Sequence, residues 1–252
     1  MNERVIWALL ATLGTWLLTA LGAAVTLVLP ARRRLTDGML GFAAGVMIAA
    51  SFWSLLQPAI QRASEQLLPA GPVAAAGFLT GAVFMWSTER LLHSVAPGSR
   101  RPAMLFLAVT LHNIPEGLAV GVAFGALEPG DRQGLLTAVG IALGIGLQNF
   151  PEGAAVALPL RREGISRWRS FLAGQASALV EPLAGILGAL LVVSVEALLP
   201  WALAFAAGAM VLVAVHELIP ECQQCRQEQP YLATGGIILG FTMMMLLDVM
   251  LG

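Results

Sequence analysis

Long apolar stretches alternate with short polar connections from one end of the chain to the other. A membrane-crossing helix needs about 20 consecutive, mainly apolar residues. By that measure the sequence predicts eight spans, at about 5–29, 38–60, 71–92, 103–126, 134–160, 168–192, 198–220 and 231–250. Turn residues punctuate them at Pro69-Ala70-Gly71-Pro72, Pro97-Gly98, Pro129-Gly130, Pro200 and Pro230. The first stretch makes a poor signal peptide, because Glu3 and Arg4 largely cancel and the run continues to Arg32-Arg33-Arg34. It is expected to be retained as a span. The connections leave no room for a soluble domain, so residues 1–252 are expected to form a single transmembrane domain.

Composition agrees with the pattern. Hydrophobic residues make up 58% of the chain and charged residues 12%, where soluble domains carry about 25% charged residues. Mean hydropathy is +0.79. The fold class that follows is an all-α integral membrane protein. No basic face or tail suggests nucleic acid. The two cysteines, Cys222 and Cys225, share one polar loop and do not amount to a disulfide framework.

Charge sets the expected orientation, and all of the positive charge is arginine. Eleven arginines follow odd-numbered spans: Arg32, Arg33, Arg34, Arg90, Arg100, Arg101, Arg161, Arg162, Arg167, Arg169 and Arg226. The other side holds three, Arg4, Arg62 and Arg132. The larger set belongs in the cytoplasm, which leaves both termini outside.

Within the apolar stretches, a six-residue pattern occurs twice, with Asn, Pro, Glu and Gly the same in both copies. His112-Asn113-Ile114-Pro115-Glu116-Gly117 lies in the fourth span and Gln148-Asn149-Phe150-Pro151-Glu152-Gly153 in the fifth, 36 residues apart (148 − 112). In each copy a proline interrupts the helix ladder. Each Glu stands four residues after a His or Gln, so the two share a helix face. Glu181, followed by Pro182, adds a third carboxylate at similar depth in the sixth span. Charges at such depth cost several kcal/mol unless paired, protonated or bound to a cation. Lone polar residues in a span often serve as helix–helix glue, but packing alone needs no acids in register.

The spacing outlines two adjacent cation positions. One would use His112, Glu116, Gln148 and Glu152; the other Asn113, Glu116, Asn149, Glu152 and Glu181. An imidazole with carboxylates suits Zn²⁺, and also Fe²⁺, Mn²⁺, Co²⁺ or Cd²⁺. No mid-membrane cysteine is present to favour Cu(I). Met47 lies on a span rich in small residues, where methionine is usually core filler.

These motifs resemble the signature of spans four, five and six in the ZIP family of divalent metal transporters, most closely its bacterial, GufA-like branch. The likeness covers nearly the whole chain. It implies uptake of Zn²⁺ and related divalent ions toward the cytosol, across the inner (cytoplasmic) membrane. It also implies a 3+2+3 inverted-repeat bundle, a binuclear site at the positions above, and a ligand role for Met47. In related bacterial members, Glu89, His93, His216, Glu217 and Glu221 correspond to a cytoplasmic metal exit. Departures are visible: Gln148 stands where many members have His, and Asn149 where some have a carboxylate. The loop from Ser94 to Pro102 lacks a histidine-rich tract.

The resemblance implies an elevator-like carrier in which spans four and five, with one and six, slide against the others. Exchange of protons for metal is expected at the site. Cys222 and Cys225 are read as ordinary reduced thiols in preference to a metal relay. A channel built on the same site is the main alternative, followed by a structural module without metal. An enzyme is not expected, since His216-Glu217-Leu218-Ile219-Pro220 lacks the second His of a metalloprotease helix. A homodimer is left open.

Overall fold

A computed structural model describes residues 3–29, 33–95, 101–128, 130–194, 196–223 and 231–251. The side chains of His93 and His112, all of Cys225, and much of the arginine set used for orientation (Arg32, Arg33, Arg100, Arg101 and Arg226) lie outside this description.

The described chain is helical throughout. The first span is α1 (Glu3–Val28). The second runs through α2 (Arg33–Ala50), a π-helical turn (Ser51–Leu56) and α3 (Gln57–Glu65). Then come α4 (Ala70–Val95), α5 (Arg101–Gly125) and α6 (Arg132–Arg162). The sixth span is divided into α7 (Arg167–Ala176) and α8 (Val180–Ser194). A short 3₁₀ turn leads into α9 (Leu199–Val213), a second π turn (Ala214–Leu218) and α10 (Ile219–Cys222). The last helix is α11 (Leu232–Leu251). Among the described residues, seven segments are long and apolar enough to cross a membrane. They coincide within a few residues with seven of the eight predicted spans; α5, with the first motif, is 25 residues long.

The surface shows which solvent this bundle is built for. Helix α1 buries Thr12, Thr15, Thr19 and Thr26 while Leu10, Leu17 and Leu21 are about half exposed. That is the reverse of a helix in water and the arrangement a lipid surround favours. The chain is a multi-pass membrane protein.

Both π turns have a local cause. Proline at 58 or 220 cannot donate, and its ring would collide with the carbonyl four residues back. Widening the turn before it relieves the clash. The wide turns close with bonds from the Gln57 amide to the Phe52 carbonyl and from the Ile219 amide to the Ala214 carbonyl.

Packing is pairwise: α1 lies along α6, α5 along α8, α2 along α11 and α4 along α9. Helices α1 and α5–α8 form one body, α2–α4 and α9–α11 another, and they meet mainly where α2 faces α6 and α5 faces α9. The glycines of the duplicated motifs explain how closely the first body packs. A side-chain carbon on Gly117 would lie 2.8 Å from the Glu181 Cα, and one on Gly153 would lie 2.9 Å from the Thr19 carbonyl carbon. Each Pro-Glu-Gly therefore presses its helix backbone onto a neighbour's.

Candidate metal centre

Glu116 and Gln148 face each other from α5 and α6. Gln148 Nε2 donates to Glu116 Oε1 at 2.6 Å. Both residues are fully buried, and Glu152, one turn after Gln148, is 3% exposed. Glu152 and Glu181 both lie within electrostatic reach of Glu116. Met47 is buried in the core that also holds Leu55, Met85 and Met210.

Glu181 is held differently. Its Oε1 accepts from Asn149 Nδ2 at 2.8 Å, and its Oε2 accepts from the Thr15 hydroxyl. The same Asn149 amide approaches the Thr15 carbonyl at 3.4 Å. One carboxylate thereby ties α8 to α6 and α1.

The division of the sixth span follows from Pro182, which disfavours helical geometry just before it. There the amides tighten to carbonyls three residues back: Leu179 to Ala176 at 3.2 Å and Glu181 to Ala178 at 3.0 Å. This releases the carbonyls of Gln175 and Ser177 from their usual i+4 partners. Two side chains from other helices take them. Trp16 Nε1 donates to Gln175 O at 3.1 Å, and Asn113 Nδ2 donates to Ser177 O at 2.9 Å. Neither the break nor the part played by Thr15 and Trp16 was anticipated from the sequence.

Four buried oxygens on the two motifs have no hydrogen-bond donor among the described residues. They are Asn113 Oδ1, Glu116 Oε2, Gln148 Oε1 and Asn149 Oδ1. All are acceptors, and buried acceptors left without a donor are costly. No three His, Cys, Asp or Glu side chains among the described residues converge closely enough to hold an ion by themselves. His112, which would supply the imidazole, lies outside the description.

At the other candidate region, His216 Nε2 lies 3.7 Å from Glu89 Oε2. Glu89 is buried and His216 largely exposed, on the second π turn. The structure thus joins α4 and the seventh span here. Glu217 and Glu221 follow half-buried on the same segment, and the side chain of His93 is outside the description. Cys222 is buried, and its thiol donates to Ile219 O at 3.2 Å. That placement fits an ordinary packed thiol.

Comparison with known proteins decides the family. Residues 99–248 match the family model described as ZIP zinc transporter. The chain belongs to the ZIP family. This ZIP protein is 39% identical to the human zinc transporter ZIP11 over its whole length and 99% of that protein. It is also 39% identical to the zinc transporter GufA of Myxococcus xanthus, with 97% of this chain and 98% of the relative covered. Zinc transporter ZIPB of Bordetella bronchiseptica is 38% identical over 93% of this chain and 78% of its own length. A family of transporters, not of enzymes, is what these relatives share.

One signal was present in the sequence and passed over. Phe42-Ala-Ala-Gly-Val-Met47 in α2 is nearly repeated as Phe205-Ala-Ala-Gly-Ala-Met210 in α9, 163 residues later (205 − 42). Each copy runs into a π turn, and both methionines are buried.

Proposed function

We propose that this ZIP protein carries Zn²⁺ and related divalent ions across the cytoplasmic membrane into the cell. The observation that carries the reading is the set of buried oxygen acceptors on α5 and α6 without donors among the described residues: a dication is the partner that would satisfy several of them together. The names of the relatives favour zinc as the cargo.

In this reading α5 completes a set of eight spans, with the arginine-rich loops in the cytoplasm and both termini outside. The first ion position comprises His112, Glu116, Gln148 and Glu152, with Met47 closing it from α2. Glu116 Oε2 and the Gln148 carbonyl oxygen replace waters of the arriving ion. The second position, at Asn113, Asn149 and Glu181, opens only when Glu181 exchanges the Thr15 and Asn149 bonds for metal. Glu89, His216, Glu217 and Glu221 receive the ion on its cytoplasmic side, together with His93.

Movement follows the packing. The body of α1 and α5–α8 slides as a unit along α2 and the rest, which makes the protein an elevator-like carrier. The repeated Phe42–Met47 and Phe205–Met210 segments, each before a π turn, support a 3+2+3 inverted repeat. The test is uptake of radiolabelled zinc into proteoliposomes, with competing Cd²⁺, Fe²⁺, Mn²⁺ and Co²⁺ at several pH values. Saturable uptake lost in Glu116→Gln is the expected result. Ohmic zinc current would instead establish a channel, and protein that binds no metal would defeat the reading altogether.

A further inference from the structure

Thr15 has one hydroxyl proton to donate and two acceptors within its reach. One is Glu181 Oε2, on α8; the other is the Thr12 carbonyl of its own helix, at 3.0 Å. The Asn149 amide is placed in the same way, with Nδ2 at 2.8 Å from Glu181 Oε1 and 3.4 Å from the Thr15 carbonyl. Each donor that holds Glu181 therefore has a second acceptor in place on α1. Among the described residues, the other buried threonines of that helix, Thr12, Thr19 and Thr26, donate only to carbonyls of α1.

The second acceptors matter because Thr15, Asn149 and Glu181 are all buried. A donor stranded in such a place is costly. With the Thr12 and Thr15 carbonyls in position, the Glu181 carboxylate can turn away and leave neither donor bare. The movement belongs to the side chain: a carbon on Gly117 would lie 2.8 Å from the Glu181 Cα, so α5 fixes the backbone there. Release then exchanges bonds to a carboxylate for bonds to carbonyls, and bonds to an ionised acceptor are about twice as strong. Glu181 is held, but by a margin well short of two whole hydrogen bonds. The first ion position has no such restraint, since Glu116 Oε2 and Gln148 Oε1 have no donor among the described residues.

We propose that Thr15 is a positioning residue for the second ion position: its hydroxyl holds Glu181 back, so that this position fills after the first and more weakly. Asn113 and Asn149 are already set for that second ion. Each has its amide nitrogen engaged, on Ser177 O and on Glu181, and its oxygen without a donor among the described residues. Glu181 is the ligand still to be freed. Thr15, Asn113, Asn149 and Glu181 all belong to the body of α1 and α5–α8, so the restraint travels with the site. The inference rests on the two-position reading above and deepens it by naming the residue that sets the order of filling.

The test is titration of the full chain, purified in detergent, with Zn²⁺, following affinity by calorimetry and bound metal by elemental analysis after dialysis. Wild type is expected to bind in two steps, the second weaker. Thr15→Val keeps the side-chain shape and removes the donor. Its second step should tighten about fivefold, equivalent to about 1 kcal/mol, with the first step unchanged. Thr15→Ser keeps the hydroxyl and should return the wild-type second step. Should Thr15→Val fail to fold, Thr15→Ala removes the same donor without placing a methyl against the carboxylate, and the same tightening is expected. A threonine that only braced the fold would lower the melting temperature and shift both steps or neither. A second step unchanged or weakened in folded Thr15→Val or Thr15→Ala overturns the proposal and leaves the two-position reading standing. One step in every form also overturns it, and leaves the first position alone. Wild type that binds no zinc sinks the reading and the proposal together.

Discussion

Glu116 and Glu181 share the same burial and differ in how their oxygens are engaged. Both are closed off from the surroundings. Glu181 has each oxygen engaged, by Asn149 and by Thr15, whereas Glu116 has one oxygen on Gln148 and the other without a donor among the described residues. Depth in the bilayer makes an acid costly; the donors around it decide whether that cost is met by protein or left for an ion. On the proposed reading, the difference separates a carboxylate that must first release protein donors before it can meet an ion from one with an oxygen already open to it.

The strongest way to break this contrast is substitution of the acids themselves. Glu116→Gln keeps the shape and removes the charge, so zinc uptake into proteoliposomes should fall more than about a hundredfold, the loss of about 3 kcal/mol. Uptake near the wild-type level would remove Glu116 from the site. Glu181→Gln should leave measurable uptake through the first position but lower the melting temperature, because the charged acceptor of the Thr15 and Asn149 bonds is lost together with the second position. If it instead abolished zinc binding with the fold intact, Glu181 would be needed for the first position as well as the second.

Next in size are the close contacts. Gly117→Ala and Gly153→Ala should each cost about 1–3 kcal/mol by overpacking, read as a lower melting temperature in detergent. Thr15→Val removes one bond to a carboxylate, worth about 1.5–3 kcal/mol. It should weaken the fold in wild type and have little effect in a Glu181→Gln background; additive effects would show that the two do not act together. The smallest effect is expected for Trp16→Phe, about 1 kcal/mol for the bond to the Gln175 carbonyl. A larger loss of uptake than of stability there would mean that Trp16 serves transport directly.

The two acids also mark what could be read from the chain. Seven of the eight span positions and the pairing of the motifs on α5 and α6 were legible, because apolar run length and the four-residue Gln–Glu spacing are local. Glu181 is joined to Glu116 and Glu152 in the sequence by its depth and by the family resemblance, not by any local spacing. Its engagement by Thr15 depends on α1, 166 residues away in the chain, and no local pattern encodes that pairing. The break at Ser177 and the two π turns escaped for another reason: each is a one-turn adjustment beside a proline, invisible to a periodicity summed over a whole span. The Phe42 and Phe205 repeat could have been found by matching the chain against itself.

The break before Glu181 has a consequence for how the protein is assembled. Its two loosened carbonyls are stitched by an indole from α1 and an amide from α5. Residues 167–194 inserted alone into a bilayer would face hydrocarbon with those groups bare, at several kcal/mol each. The α7–α8 segment can therefore take its final form only after α1 and α5 are in place to receive it.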